Sequence, residues 1–205
     1  MCKKHHFHRR WILAVVLLAF LFEAWRMWIY ETPEEKTIAP LYKLPFPSGE
    51  EYLCIKGRGV SFMGHHGPDF YAIDFKMPEH SVVVAARGGI VTLVKDDSNV
   101  GGWSEKYIKD ANRIHIDHGD GTEAQYVHFE YKGVLVRVGD KVEQGQPIGY
   151  SGNTGASMMP HLHFCVGDKA KRETIPIAFL DIDGSRVIPK CFLSYTSNNA
   201  APTQS

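Results

Sequence analysis

The sequence predicts an all-β fold: an antiparallel β-sheet domain with a groove, preceded by one N-terminal transmembrane helix. Three observations carry that expectation. Short runs rich in β-branched residues alternate along residues 52–187, namely SVVVAA, GGIVTLVK, RIHIDH, AQYVHF and GVLVRV. Turn signals separate them at Arg87-Gly88-Gly89, Asp96-Asp97-Ser98-Asn99, Gly119-Asp120-Gly121 and Val138-Gly139-Asp140. An apolar stretch with basic residues in front of it opens the chain.

That stretch is WILAVVLLAFLFEAWRMWIY, residues 11–30, interrupted only by Glu23 and Arg26. It has roughly the 20 residues a helix needs to cross a bilayer. Trp25, Trp28 and Tyr30 stand at one end, where aromatic rings favour the membrane interface. Lys3, Lys4, Arg9 and Arg10 precede it, which places residues 1–10 in the cytoplasm and exports the rest. The A-x-A pattern of a cleaved signal peptide is missing, so the segment reads as an uncleaved anchor. The expected location is the cytoplasmic membrane, single-pass, with the folded domain on its outer side.

Residues 31–50 read as a linker, with Pro33, Pro40, Pro45 and Pro47 and the charged group Glu34, Glu35, Lys36. The folded domain is expected over 51–187. Within it only 105–111 reads as a short helix or turn. Residues 188–205 form a tail whose end, SNNAAPTQS, is small and polar and is expected to be disordered.

Lys plus Arg number 23 and Asp plus Glu number 23, so no net field attracts nucleic acid. The cysteines, at 2, 54, 165 and 191, form no C-x-x-C pair. Cys54 and Cys191 flank the folded region and could be bridged in an oxidising compartment. Cys165 sits in an apolar run and reads as a small buried side chain.

The 11 histidines carry the chemistry, because neutral imidazole is the commonest metal ligand. In PHLHF, His161 and His163 are two apart, so a strand directs both to one face. In QYVHF, His128 ends an alternating run. In GHHGPDFYAIDF, His65, His66, Asp69 and Asp74 bring nitrogen and carboxylate donors into one loop and strand. Two histidines and one carboxylate leave a position open on zinc, as hydrolytic sites require.

Residues 64–166, about half the chain, resemble the lysostaphin-type, or LytM-like, peptidoglycan zinc metalloendopeptidases. Four blocks stand in that family's order: YAIDFKMPEHSVVVAARGGIV, ANRIHIDHGDGTEAQYVHFE, VRVGDKVEQGQPIGYSGNTG and ASMMPHLHFCV. The resemblance implies one Zn2+ per chain, bound by His65, Asp74 and His163. His65 precedes Gly67 by two, as in the family, with His66 as the alternative. His65-His66-Gly67-Pro68-Asp69 also fits the family's H-x-G-x-D literally, which keeps Asp69 as the rival carboxylate. Asp74 is preferred because Pro78 follows it at the family's offset, and because a carboxylate in an apolar strand needs a cation. The resemblance further implies that His128 and His161 are catalytic, activating the attacking water and stabilising the tetrahedral oxyanion.

Asn112 and Tyr126 are candidate groove residues. His118, at a turn, is expected to satisfy backbone groups; His115 and His80 are expected to be exposed. Departures from the family are Met159 in place of glycine, Cys165 in place of glutamate, and PEHSVV in place of P-x-G-T-P-V. They touch no ligand position but leave substrate preference open, and Met158 with Met159 offers the groove an apolar wall. The expected partners are peptidoglycan stem peptides and, through the N-terminal helix, the membrane. Nothing in the sequence identifies a protein regulator. The alternative function is a catalytically inactive member that binds and activates another cell-wall hydrolase.

Overall fold

The computed structural model describes residues 42–57, 65 and 67–202, together with Val15, Leu17, Leu18 and Leu21. The chain divides into two compact units, Met1–Thr37 and Ile38–Ser205. In the first, the four described residues are helical and their side chains exposed. The rest of the expected anchor at 11–30 lies outside the described residues. Among the described residues, no helix is long and apolar enough to cross a membrane.

The second unit is built of short strands: β1 (Glu51–Lys56), β2 (Ile73–Lys76), β3 (Val82–Val84), β4 (Gly89–Lys95), β5 (Gly101–Gly102), β6 (Asn112–Asp117), β7 (Thr122–Val134), β8 (Lys141–Val142), β9 (Pro147–Ser151), β10 (Gly155–Ala156), β11 (Leu162–Asp168), β12 (Glu173–Thr174), β13 (Phe179–Leu180), β14 (Arg186–Val187) and β15 (Ser194–Thr196). One sheet runs β15-β1-β2-β11-β7-β6-β4-β8, with β12 beside β11 and β9 pairing both β3 and β7. Every ladder between these strands is antiparallel except β10 with β5. The expected all-β domain is therefore present. The helical reading of 105–111 corresponds to a 3-10 helix, Glu105–Asp110.

Alternation sorts the side chains. On β11, Leu162, Phe164 and Val166 enter the hydrophobic core, while His163 lies on the other face. On β2, Ile73 and Phe75 enter the core and Asp74 takes the other face. Core aromatics meet edge-on: Phe46 with Phe75 at 5.3 Å and Phe164 with Tyr42 at 6.4 Å between ring centroids.

The folded unit extends beyond 51–187 at both ends. Tyr42, Leu44 and Phe46, inside the expected linker, alternate into the core. The prolines around them hide that period in the sequence, but an extended strap needs no ladder partners at proline. Burying each such side chain contributes about 1.5–3 kcal/mol.

The tail is a correction as well. Its described part, to residue 202, is ordered, because its polar side chains satisfy backbone carbonyls. β15 extends the sheet along β1. The Ser197 hydroxyl donates to the Phe46 carbonyl at 2.6 Å, and the Asn199 amide donates to Leu44 and Ala85 at 3.0 and 3.1 Å. Gly145, at φ +82°, accommodates the tail, since a Cβ there would collide with the Ala200 carbonyl. Asn199→Ala should therefore destabilise the domain by about 1–3 kcal/mol, the cost of stranding buried carbonyls. Thermal unfolding reads this directly, and an unchanged midpoint would return the tail to the role of a passenger.

The three described cysteines are buried free thiols, so the Cys54–Cys191 bridge that the sequence left open is not formed. Each of these two thiols instead donates to backbone: Cys54 to the Lys56 carbonyl at 3.1 Å and Cys191 to the Ile55 carbonyl at 2.9 Å.

Candidate metal centre

Three neighbouring strands, β2, β11 and β7, build the site on the sheet face opposite the core. Asp74 and His163 are direct cross-strand partners, so the ladder sets them side by side. His163 Nδ1 lies 2.9 Å from Asp74 Oδ1. His65, just ahead of the 3-10 turn Gly67–Asp69, brings Nε2 to 3.5 Å from the same oxygen. The donor atoms of His65, Asp74 and His163 all lie within 4.8 Å of one another. Asp69 is exposed and stands outside that cluster; His66 lies outside the described residues.

His128 reaches the site by a different device. Tyr126 opposes Phe164 and Val127 opposes His163, so alternation alone would send His128 to the core side. Between Val127 and Phe129, however, β7 spends one residue more than β6, which steps only from Arg113 to Asn112. His128 is that extra residue, with φ +76°. A bulge re-aims its side chain, and the imidazole comes to 4.5 Å from His161 and 6.0 Å from His163 between ring centroids. His128 therefore sits at a mid-strand kink, where the sequence suggested a strand end.

The two histidines outside the donor cluster have defined tautomers. The His128 Nδ1–H donates to the Thr154 carbonyl at 2.6 Å, and the His161 Nδ1–H donates to the Met159 carbonyl at 2.8 Å. A carbonyl only accepts, so each ring leaves Nε2 as a lone pair. The His161 Nε2 lies 3.8 Å from Asp74 Oδ2.

The electrostatics suit a cation. Burial pushes His65 down to about 4, against the pull of Asp74. Burial, with His161 and His163 nearby, pushes His128 down to about 3. Burial also lowers His161. These rings are neutral at neutral pH, as ligands and bases must be. Burial alone would lower His163, but its bond to Asp74 raises it. Burial alone would raise Asp74, yet His163 and the other imidazoles hold its carboxyl well below the usual range. A proton between His163 Nδ1 and Asp74 Oδ1 stands where a metal would bind, and two nitrogens with one carboxylate oxygen form a donor set that fits a divalent metal.

The remaining candidates are placed as follows. Asn112 and Tyr126 do not line a groove: both are 0% exposed. The Asn112 amide bridges the carbonyls of Ser98, Phe129 and Glu130, which braces the bulge. The Tyr126 hydroxyl accepts from the Ala86 amide at 2.8 Å inside the core. An alternating pattern cannot separate a core tyrosine from a groove tyrosine, and that ambiguity misplaced it. His115 is half-buried, not exposed, because its Nδ1 pairs with Glu123 at 2.9 Å. His118 holds the Gly88 carbonyl of the adjacent turn at 2.8 Å, and His80 is exposed.

A cavity of about 580 Å³ adjoins the site. Thr154 and Ser157 line it, and they are the residues that touch His128 and His161. Trp103, Tyr131 and Met158 contribute exposed apolar surface to its walls.

Comparison with known proteins covers the central part of this unit, starting after His65. Residues 69–174 match the family described as Peptidase family M23. The chain is 36% identical over 109 residues to the glycyl-glycine endopeptidase ALE-1 of Staphylococcus capitis, covering 53% of this chain and 27% of that protein. It is 35% identical over 91 residues to the peptidoglycan DD-endopeptidase ShyA of Vibrio cholerae serotype O1, covering 44% and 18%. To the lysostaphin of Staphylococcus simulans it is 37% identical over 109 residues, covering 53% and 20%. The matched region thus spans 27% of the length or less in each of these relatives.

Proposed function

The chain belongs to peptidase family M23, and from that premise we propose that it is a zinc-dependent endopeptidase hydrolysing peptide cross-links of bacterial peptidoglycan. The observation that carries the reading is the convergence of His65, Asp74 and His163 beside two further histidines that present Nε2 lone pairs. Both sets of relatives, the glycyl-glycine and the DD-endopeptidases, are named for cutting peptide bonds.

His65, Asp74 and His163 would hold the zinc, which when bound would supply Lewis acidity for polarising the scissile carbonyl and acidifying the attacking water. The protein's own groups do the rest. One of the two Nε2 atoms, at His128 or His161, takes the proton of the attacking water; once protonated, an imidazole can donate it to the leaving amine. The other histidine stabilises the charge that develops on the carbonyl oxygen once its own Nε2 is protonated, as an imidazolium donor. The carbonyls of Thr154 and Met159 hold both Nδ1–H groups and so leave Nε2 as the working nitrogen of each ring. Residues 11–30 would keep this domain on the outer side of the cytoplasmic membrane, where peptidoglycan lies.

The test is hydrolysis of purified sacculi by the full chain, with released muropeptides identified by mass spectrometry. Metal-dependent appearance of cleaved cross-links, with new amine and carboxyl termini, is the expected result. Tight binding to sacculi with bound zinc and no cleavage would leave the inactive, hydrolase-activating reading in its place.

A further inference from the structure

Lys56 is the one cation among the described residues that pairs with Asp74 apart from the site's own histidines. It lies outside residues 69–174, so no part of the family match covers it. Its position comes from a second bulge. Cys54 opposes Phe75 and Lys56 opposes Asp74, so β1 advances two residues where β2 advances one. Plain alternation would put Lys56 on the core face with Cys54; the extra residue, Ile55, turns it onto the Asp74 face.

The two oxygens of Asp74 are therefore treated differently. Oδ1 lies 2.9 Å from His163 Nδ1 and 3.5 Å from His65 Nε2, the two nitrogens of the donor cluster. Oδ2 lies 3.6 Å from Lys56 Nζ, with His161 Nε2 further off at 3.8 Å. We infer that Lys56 is a positioning residue that retains Asp74 Oδ2, so that the carboxylate offers a single oxygen to the metal. A carboxylate free to offer both oxygens would occupy the position that a hydrolytic site must leave open. The ammonium also draws charge away from the carboxylate, which weakens its donation and keeps the metal a stronger Lewis acid. This rests on the metal reading of the site given above.

Cobalt(II) reads coordination number through the intensity of its visible bands, which are strong for tetrahedral and weak for higher-coordinate ions. The full chain and its K56M, K56Q and K56R variants are loaded with cobalt(II), and metal stoichiometry, visible absorption and unfolding midpoint are measured. The wild type and K56R, which keep a cation, are expected to show intense bands. K56M and K56Q are expected to bind one cobalt with bands weaker by about twofold or more, as Asp74 supplies a second oxygen. Unchanged bands in K56M and K56Q at full occupancy would overturn the inference. Loss of cobalt from them would also overturn it, by making Lys56 a builder of the site; so would loss of the fold in both. Failure of the wild-type chain itself to bind cobalt would be a different result, removing the metal reading and, with it, this refinement.

Discussion

Alanine at His128 or at His161 is expected to lower turnover on sacculi by about 10²–10⁴-fold, the usual loss for a general base or an oxyanion donor. One metal per chain should remain in both variants. The reason is geometric. Neither ring belongs to the donor cluster of His65, Asp74 and His163, and a fourth protein ligand would close the metal to water and substrate. Each ring spends its Nδ1–H on a backbone carbonyl and aims the other nitrogen at the site. Truncation therefore removes proton transfer and hydrogen bonding without touching a ligand. His128 carries a further cost, since it occupies the bulge of β7 at φ +76°. Alanine there is strained too, so the unfolding midpoint should be read beside turnover. Near-normal turnover in the His128 variant, or a metal-free His161 variant, would sink the assignment.

Asp74→Ala should abolish both metal binding and hydrolysis, and His163→Ala should do the same. Asp74 is the hub of the cluster: Oδ1 faces His163 and His65, and Oδ2 faces Lys56 and His161. Without it, two neutral imidazoles and a nearby ammonium remain, a set with no anion to offset a divalent charge. Asp69→Ala is the matched control. Asp69 is exposed on the 3-10 turn, outside the donor cluster, so that variant should keep its metal and its activity. Metal analysis of the purified variants decides between the two carboxylates. Retention of zinc by Asp74→Ala with loss in Asp69→Ala would reverse the choice.

Much of this was legible in the one-dimensional pattern. The strands 82–84, 89–95 and 112–117 announced themselves through β-branched alternation and the glycine- and aspartate-rich turns between them. The pairing of Asp74 with the H-x-H motif was also within reach. Each lies in a run whose neighbours are apolar, and period two then puts the polar residue on the opposite face. The edges of the domain were not legible. Tyr42, Leu44 and Phe46 lie among prolines that read as linker, and Ser197 and Asn199 act through backbone carbonyls, which no hydropathy pattern registers. Nor was the role of Asn112, since a buried amide that braces a bulge and a groove amide that meets substrate are the same letter.

The sequence by itself determined the fold class and the family, because these follow from residue type, order and strand alternation; the resemblance implied His65, Asp74 and His163 as donors, and the structure brings their donor atoms within 4.8 Å of one another. The tertiary structure alone decided how His128 and Lys56 reach the site. Both would face the core if their strands were regular. One inserted residue in β7 and one in β1 reverse them, and an insertion is defined only against the partner strand. A bulge is a property of the pairing, so the strand that carries it cannot announce it before it meets its neighbour.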